Sequence, residues 1–293
     1  MDNKLHNELR LSITPMCNMS CVYCHNEGNV NYVDHEMAID SAIKIVDGAT
    51  RCGINRVRIT GGEPLVHKDI IEMCRVFKER YNLFVGINTN SFKADTLLYL
   101  SENRLIDEVV VGMDYFDSNV SKQSPIGRSS KDVKETILKM KTLGISVAID
   151  VVYDGDYENI SRFVSWALMT EIPLRILEIV DLNILKDSNR NAYFEMRDKV
   201  FADFKLKRVI DDLNETVALY NGKRIVSFYH SFCKEKRCDL CHSLAIRVNS
   251  KGVIKGCLIS TKNDINLMDG ESVADHIRSF MNEPFFDVFC NKS

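Results

Sequence analysis

The chain has 293 residues, 45% of them hydrophobic, and 38 basic against 41 acidic side chains leave a net charge of −3. That balance excludes a disordered chain, a collagen-like repeat and a bulk nucleic-acid binder, and no apolar run approaches the roughly 18 residues of a membrane span. Ten cysteines exceed what core packing asks for, and the polar start Met1–Arg10 reads as no export signal, so the expected setting is the cytoplasm and the expected use of clustered thiols is metal or redox chemistry.

In chain order, Leu9–Thr14 reads as a first strand, followed at once by Cys17-x3-Cys21-x2-Cys24. A helical pattern over 36–51 leads to strand Arg56–Thr60 and the segment Gly61-Gly62-Glu63-Pro64. Helical patterns at 68–81, 94–103, 131–143 and 157–170 alternate with strands Phe84–Thr89, Glu108–Met113, Ser146–Val152 and Leu174–Val180. Gly53 and Gly144 follow helix ends where a left-handed cap is expected. Strand–helix alternation at this spacing means parallel βαβ units, and six units fall short of a closed eight-strand barrel. The prediction is therefore an α/β fold, a partial (βα)6 TIM-like barrel over 1–181, with its chemistry at the C-terminal ends of the strands.

Past residue 181 the pattern changes, and 182–293 is expected to be a small C-terminal subdomain around a second cysteine group, an iron–sulfur subdomain if the family resemblance given below holds. It reads as two helices, 190–204 and 209–220, then strand Arg224–Tyr229, then a second cysteine group, Cys233-x4-Cys238-x2-Cys241-x15-Cys257. A hairpin, Leu244–Asn249 with Val253–Leu258, holds the last of those cysteines, and a helix at 272–282 precedes Pro284. Cys52 and Cys74 read as packing, Cys290 as a free thiol or a late ligand, Trp166 as core, and Phe285, Phe286 and Phe289 as a tail folded onto the barrel.

Cys17, Cys21 and Cys24 fall in the loop after the first strand, at the barrel mouth. Three thiolates there suit a [4Fe–4S] cluster with one iron left open. Zinc is the alternative, but it wants a fourth ligand, and His25 is poorly placed to supply it. Glycines at 61 and 62 let backbone approach a ligand, Glu63 is placed to accept from an amine, and Asn88-Thr89-Asn90-Ser91 caps the next strand at the same face. Asp114, Asp117 and Asp150 stand near strand ends, where barrel-mouth hydrogen bonding is the expected role.

The triad Cys17-x3-Cys21-x2-Cys24 with Tyr23 before the third cysteine, together with Gly61-Gly62-Glu63-Pro64, resembles the radical S-adenosylmethionine (SAM) superfamily. The resemblance implies an enzyme whose [4Fe–4S] cluster is held by Cys17, Cys21 and Cys24, with SAM chelated at the open iron. It implies that Gly61, Gly62, Glu63 and Pro64 hold the SAM amino group, with Thr89 and Asn90 beside them and Tyr23 near adenine. It also implies reductive cleavage of SAM to a 5′-deoxyadenosyl radical that removes a substrate hydrogen, and an electron donor such as flavodoxin or ferredoxin.

Leu9–Thr14, Gly61–Leu65 with Lys68-Asp69, Arg175-Ile176-Leu177-Glu178 and Cys238-x2-Cys241 before a hairpin and Cys257 are similar to the GTP 3′,8-cyclases of molybdenum-cofactor synthesis. By that likeness Arg10, Lys68, Arg175 and Arg247 are expected to contact an anionic substrate, and the second cysteine group to hold an auxiliary [4Fe–4S] cluster. There are departures: His67 replaces an arginine, Ala245-Ile246-Arg247 replaces an Arg-x-Arg pair, 15 residues separate Cys241 from Cys257, and Asn291-Lys292-Ser293 stands where the cyclases have Gly-Gly. They predict a different substrate, a small anionic molecule with a nucleotide as first candidate, undergoing rearrangement, cyclisation or oxidation. Cys233 would complete a four-thiolate set with Cys238, Cys241 and Cys257, as in the twitch and SPASM regions of radical SAM dehydrogenases and peptide-modifying enzymes. The rival expectations are a peptide-modifying maturase with a fully ligated auxiliary cluster, and a zinc-binding structural protein.

Overall fold

Alternation along the predicted strands decides which way the sheet faces. In Arg56-Val57-Arg58-Ile59-Thr60, Val57 and Ile59 are buried at 1% and 0% exposure, while Arg58 carries the polar face. Side chains two apart share a face, so one side of the sheet is apolar and packs on helices, and the other lines a polar lumen.

The computed structural model describes residues 7–29, 35–117, 129–179, 190–212, 214–235, 237–258, 260–270 and 272–282. The strands are β1 (Leu9–Ser12), β2 (Arg56–Thr60), β3 (Phe84–Thr89), β4 (Glu108–Gly112), β5 (Ser146–Tyr153), β6 (Leu174–Glu178), β7 (Lys207–Asp212), β8 (Glu215–Tyr220), β9 (Lys223–Tyr229), β10 (Ile246–Val248), β11 (Val253–Ile254) and β12 (Ile265–Asn266). The helices are α1 (Ile39–Arg51), α2 (Ile70–Glu79), α3 (Ala94–Glu102), α4 (Ser130–Thr142), α5 (Tyr157–Thr170), α6 (Arg190–Asp203), α7 (Phe232–Glu235), α8 (Cys238–Ser243) and α9 (Val273–Asn282).

All strands join one sheet in the order β12-β11-β10-β1-β2-β3-β4-β5-β6-β9-β8-β7. β1 to β6 are parallel and consecutive, as the six-unit partial barrel requires. Two more parallel strands flank them, β10 against β1 and β9 against β6. The chain leaves β9 at one flank and re-enters at β10 on the other, so residues 230–245, with α7 and α8, cross from one edge of the six-strand unit to the other.

Gly53 and Gly144 adopt positive φ, +84° and +79°, after α1 and α4 as expected of helix stops. Side-chain caps start α4 and α5: Ser129 accepts from Asp132 N, and Asp156 accepts from Asn159 N. Cys74 is fully buried, and Trp166 packs edge-on against Phe116. Helix α9 returns to α1, so close that a Cβ on Gly48 would lie 2.5 Å from Val273 Cγ1. The half-buried Cys52 thiol donates to the Ala274 carbonyl at this contact, 3.3 Å away.

One predicted helix is wrong. Residues 209–212 and 215–220 lie in β7 and β8, which pair antiparallel with each other, and β8 pairs antiparallel with β9. Val209, Ile210, Thr216 and Val217 are β-branched and favour strands. Tyr220-Asn221-Gly222-Lys223 is an Asn-Gly hairpin, with φ of +49° and +78° at the two central residues, as a type I′ turn demands. The predicted hairpin at 244–258 is also shorter than expected. Val253 and Ile254 pair with β12, and beyond them the Lys255 side chain turns inward to Asp264. The predicted domain division at 181/182 and Cys290, Phe285, Phe286 and Phe289 lie outside the described residues.

Candidate active site

The Cys17–Cys24 loop leaves β1 and is clamped to the turn after β2. Gly62 N donates to Thr14 O at 2.7 Å and Glu63 N to Met16 O at 2.8 Å. The approach needs glycine: Gly61 sits at φ +150°, where an added Cβ would meet Thr14 O at 2.4 Å, and one on Gly62 would meet Met16 O at 2.2 Å. Between this loop and the ends of the strands lies a cavity of about 240 Å³. Cys17, Cys21 and Cys24 line it together with Gly61, Gly62, Glu63 and Asn90, and with Asp114 and Asp150 from the strand ends.

The three thiols are free, and all titrate above an ordinary cysteine, chiefly through partial desolvation at the crowded mouth. Cys21 is pushed up to about 12, burial acting first and the Asp114 carboxylate second. Backbone amides point at two of the sulfurs: Met19 N lies 3.3 Å from Cys17 Sγ, and Asn26 N 3.3 Å from Cys24 Sγ. Such amides favour thiolate, the form that binds metal.

Glu63 is 1% exposed. Its Oε1 accepts from Leu65 N at 3.0 Å and Thr89 Oγ1 at 2.6 Å, and its Oε2 accepts from Asn90 N at 2.7 Å. Burial raises its pKa, and those hydrogen bonds oppose the rise. Three of about four acceptor positions on a carboxylate are thus taken, so Glu63 ties the β2 turn to the end of β3 as well as facing the cavity. Pro64 starts the single 3₁₀ turn Pro64–Val66, which Glu63 caps. Asn90 reaches back from β3, its amide nitrogen 2.9 Å from Asn18 Oδ1 and 3.9 Å from Cys17 Sγ.

Across the cavity, the Tyr23 hydroxyl donates to Asp114 just past β4. Asn159 Nδ2 donates to the Asp114 carbonyl at 2.6 Å, and burial raises the Asp114 carboxyl. This bond pins the cysteine loop to the opposite wall. The strand-end position of Asp114 was its only signal in the sequence. Asp117, by contrast, pairs outward with Arg162 at 2.7 Å.

The predicted basic residues do not converge. Arg175 is locked to Asp150 by two bonds, Nε–Oδ1 at 2.5 Å and Nη2–Oδ2 at 2.6 Å. Lys68 is exposed, just ahead of α2, and is not among the cavity-lining residues. His67 is 2% exposed and structural, bonding Met37 O through Nε2 and accepting from Asp69 N at Nδ1. Arg10 and Arg247 do meet, as register partners across β1 and β10. Arg10 Nη2 pairs with Glu27 Oε1 at 3.3 Å, and Arg247 Nη1 donates to Cys241 O at 3.1 Å. Burial would raise the Glu27 carboxyl, but Arg10, His25 and Arg247 outweigh it and hold the pKa low. His25, which accepts from Glu27 N, is held low by burial. Nothing in the sequence marked this His25–Glu27 pair.

The second cysteine group is also gathered. Cys233 is raised to about 11 by burial and by the nearby Cys241 and Cys257, and Arg247 opposes the rise. Cys233, Cys238, Cys241 and Cys257 are all half-buried. Glu178, at the end of β6, accepts from Ser231 N at 2.8 Å, and Ser231 Oγ accepts from Cys233 N at 3.2 Å. Among the described residues no group of three or more His, Cys, Asp or Glu side chains is already arranged to hold a metal ion, whether zinc or iron. The all-thiol donor set of each group suits an iron–sulfur cluster.

Comparison with known proteins gives a consistent picture. Residues 11–167 match the radical SAM superfamily profile. The chain is 25% identical to the probable GTP 3′,8-cyclase of Methanocaldococcus jannaschii, over 96% of this chain and 96% of that protein. Among solved structures, Streptococcus suis SuiB bound to S-adenosylmethionine superposes with a TM-score of 0.67 at 17% identity. That match covers 96% of this chain, which spans 65% of the SuiB chain's length. Native anSMEcpe with bound AdoMet superposes with a TM-score of 0.64 at 15% identity, covering 94% of this chain and 80% of that one. At these identities the structural likeness speaks for the fold, a radical SAM partial barrel. Among the described residues no helix is long and apolar enough to cross a membrane.

Proposed function

This chain belongs to the radical SAM superfamily, and we propose that it acts at the cavity just described on a small anionic substrate, with Cys17, Cys21 and Cys24 as the cluster ligands. Membership makes it an enzyme that uses a [4Fe–4S] cluster and SAM. When bound, the cluster supplies the electron that cleaves SAM reductively to a 5′-deoxyadenosyl radical, which takes a hydrogen from the substrate. The observation that carries the site assignment is the shared cavity wall: three free thiols face the Gly61–Glu63 backbone across a cavity of about 240 Å³.

The remaining parts are played by this chain's own residues. Gly61 and Gly62 leave no side chain between the turn after β2 and the Thr14–Met16 backbone, so the two segments close directly on each other. Glu63, Thr89 and Asn90 form one hydrogen-bonded unit that fixes the turn after β2 against the end of β3. Tyr23, bonded to Asp114, holds the thiol loop down over the strand ends and offers its ring as a flat apolar wall. The polar lumen below, with Asp150 and Arg175 tied together, keeps its charges paired near a reactive radical.

Substrate charge is read from Arg10 and Arg247. Two like charges side by side across a strand pair are destabilising unless an anion lies between them. Glu27 supplies one, and Arg10 Nε is buried without a hydrogen-bond partner. This supports one anionic group, a phosphate or carboxylate, better than a triphosphate, because Arg175 is already paired and only the Arg10–Arg247 pair, behind the cavity-lining Glu27, is left to draw it. A nucleotide carrying a single phosphate is the first candidate.

The second part of the proposal is an auxiliary [4Fe–4S] cluster on Cys233, Cys238, Cys241 and Cys257, supported by the closeness of Cys241 and Cys257 to Cys233. It would mark 182–293 as the cluster-bearing region beside the 1–181 barrel, in a cytoplasmic enzyme served by flavodoxin or ferredoxin. The test is anaerobic reconstitution with iron and sulfide. Two clusters require about eight irons per chain, and dithionite with SAM should release 5′-deoxyadenosine. Mono-, di- and triphosphate nucleosides, simple carboxylates and peptides are then compared for a rise in that release. A colourless zinc protein would end the enzymatic assignment of the site, and a rise with peptides alone would overturn the substrate class.

A further inference from the structure

Asn29 is 0% exposed and ties its own loop to β1 and to a turn 221 residues away in sequence. Its Nδ2 donates to Ser12 Oγ at 2.6 Å, at the end of β1, and to Asn26 O at 2.9 Å, in the loop just past Cys24. Its Oδ1 accepts from Ser250 N at 3.1 Å and Ser250 Oγ at 3.0 Å, in the turn between β10 and β11. A side-chain amide has two donors and two acceptor sites, and all four are used. Next to it, Gly28 takes φ +79°, and a Cβ there would come within 3.2 Å of the Lys255 side chain. Lys255 is itself 4% exposed, and its Nζ donates to Ser260 O at 3.0 Å and to Asp264 Oδ2 at 2.5 Å. Cys257 lies two residues beyond Lys255, and Asn26 N points at Cys24 Sγ.

The loop bearing Cys24 and the turn between β10 and β11 are thus joined by one fully satisfied buried amide, and Lys255, fixed by its ion pair with Asp264, packs over Gly28 of that loop. A buried amide with all four of its hydrogen-bonding positions used holds its partners in one geometry. We infer that Asn29 is a positioning residue that couples the first thiol loop to the C-terminal hairpin, so that the hairpin helps set the geometry of the SAM-binding cluster. Lys255, lying over Gly28, is the second tie of the same joint. This rests on the reading that Cys17, Cys21 and Cys24 hold that cluster and that Cys257 belongs to a second one.

The test uses reconstituted full-length protein and reads three quantities: iron content, the dissociation constant for SAM by equilibrium dialysis, and the electron paramagnetic resonance spectrum of the reduced cluster with SAM bound. Asn29→Ala is expected to weaken SAM binding about tenfold and shift that spectrum, while the first cluster's iron stays bound. Cys257→Ala should also weaken SAM binding. Coupled sites give non-additive effects, so the double variant should be no more than about twofold worse than Asn29→Ala alone. If Asn29→Ala does not fold, Ser250→Ala, which removes only the hydroxyl, takes its place in the same cycle, and Lys255→Met tests the second tie. Wild-type SAM affinity and spectrum in Asn29→Ala or Ser250→Ala would overturn the inference, as would effects that simply multiply. Wild-type protein with iron for a single cluster would instead sink the second-cluster reading, and the Asn29 and Ser250 variants alone would then decide the positioning role.

Discussion

Gly62→Ala is the sharpest probe of how the mouth is built. The new Cβ would stand 2.2 Å from Met16 O, 2.6 Å from Met16 C and 2.7 Å from Pro15 O. All three are backbone atoms, so no side chain can swing away. Reaching the 3.0 Å that real Cβ contacts respect takes about 0.8 Å of movement between the two walls. That movement strains or breaks the two clamping bonds, Gly62 N to Thr14 O and Glu63 N to Met16 O. At about 1 kcal/mol each, roughly 2 kcal/mol of stability is lost. The larger effect is on chemistry, since a misplacement of about 1 Å can cost about 10²-fold in rate. The assay is 5′-deoxyadenosine release from reconstituted protein under dithionite, with thermal unfolding measured on the same samples. Gly53→Ala is the control. Gly53 also sits at positive φ, +84°, but has nothing within 4 Å of an added Cβ, so the variant should lose stability and keep its rate. A wild-type rate in Gly62→Ala, or an equal loss in Gly53→Ala, would refute the link between this close approach and catalysis.

Three further outcomes are expected. Tyr23→Phe removes a hydrogen bond to a partly buried carboxylate, a class worth about 1.5–3 kcal/mol, so SAM cleavage should fall roughly tenfold or more; an unchanged rate would mean the Asp114 tether does not hold the thiol loop. Arg175→Met leaves Asp150 without its partner in the lumen and should lower stability by about 3 kcal/mol, seen as an earlier denaturant midpoint, while adding Asp150→Asn should recover much of the loss; if the single variant is neutral, the pair is not structural. Glu63 has its pKa raised by burial, so the folded state holds that proton more tightly than the unfolded chain. Stability from this group is then present at low pH and falls as pH rises above the unfolded value of about 4.3, and Glu63→Gln should flatten that decline in a urea titration of the metal-free protein.

The six βα units were legible because each strand–helix pair carries its own signal: alternating β-branched residues, a glycine stop, an apolar helix face. Residues 209–220 were misread because apolar spacing there was weighed without the turn that follows. Asn221-Gly222 is a strong local hairpin signal, and it makes Glu215–Tyr220 a strand whatever its helical spacing suggests. The thiols and the Gly-Gly turn were legible for a different reason, since a ligand-holding loop must keep its donors at fixed short spacing. Asn29 carried no such mark, because its partner Ser250 lies 221 residues away.

Charge pairing explains why the basic residues were the hardest to place. A sequence shows where an arginine stands but not what it faces. Arg175 sits in β6 directly opposite Asp150 in β5, Cα partners in a parallel register that only the assembled sheet creates. The two lie 25 residues apart, and the carboxylate holds the guanidinium charged despite its burial. Arg10 also gains a strand partner from across the chain, but that partner is Arg247, of like charge, and Glu27 offsets only one of the two. The same kind of register contact therefore neutralises one arginine in the lumen and leaves a net positive charge between the other two. That difference, and not the number of arginines, is what the proposal of an anionic substrate rests on.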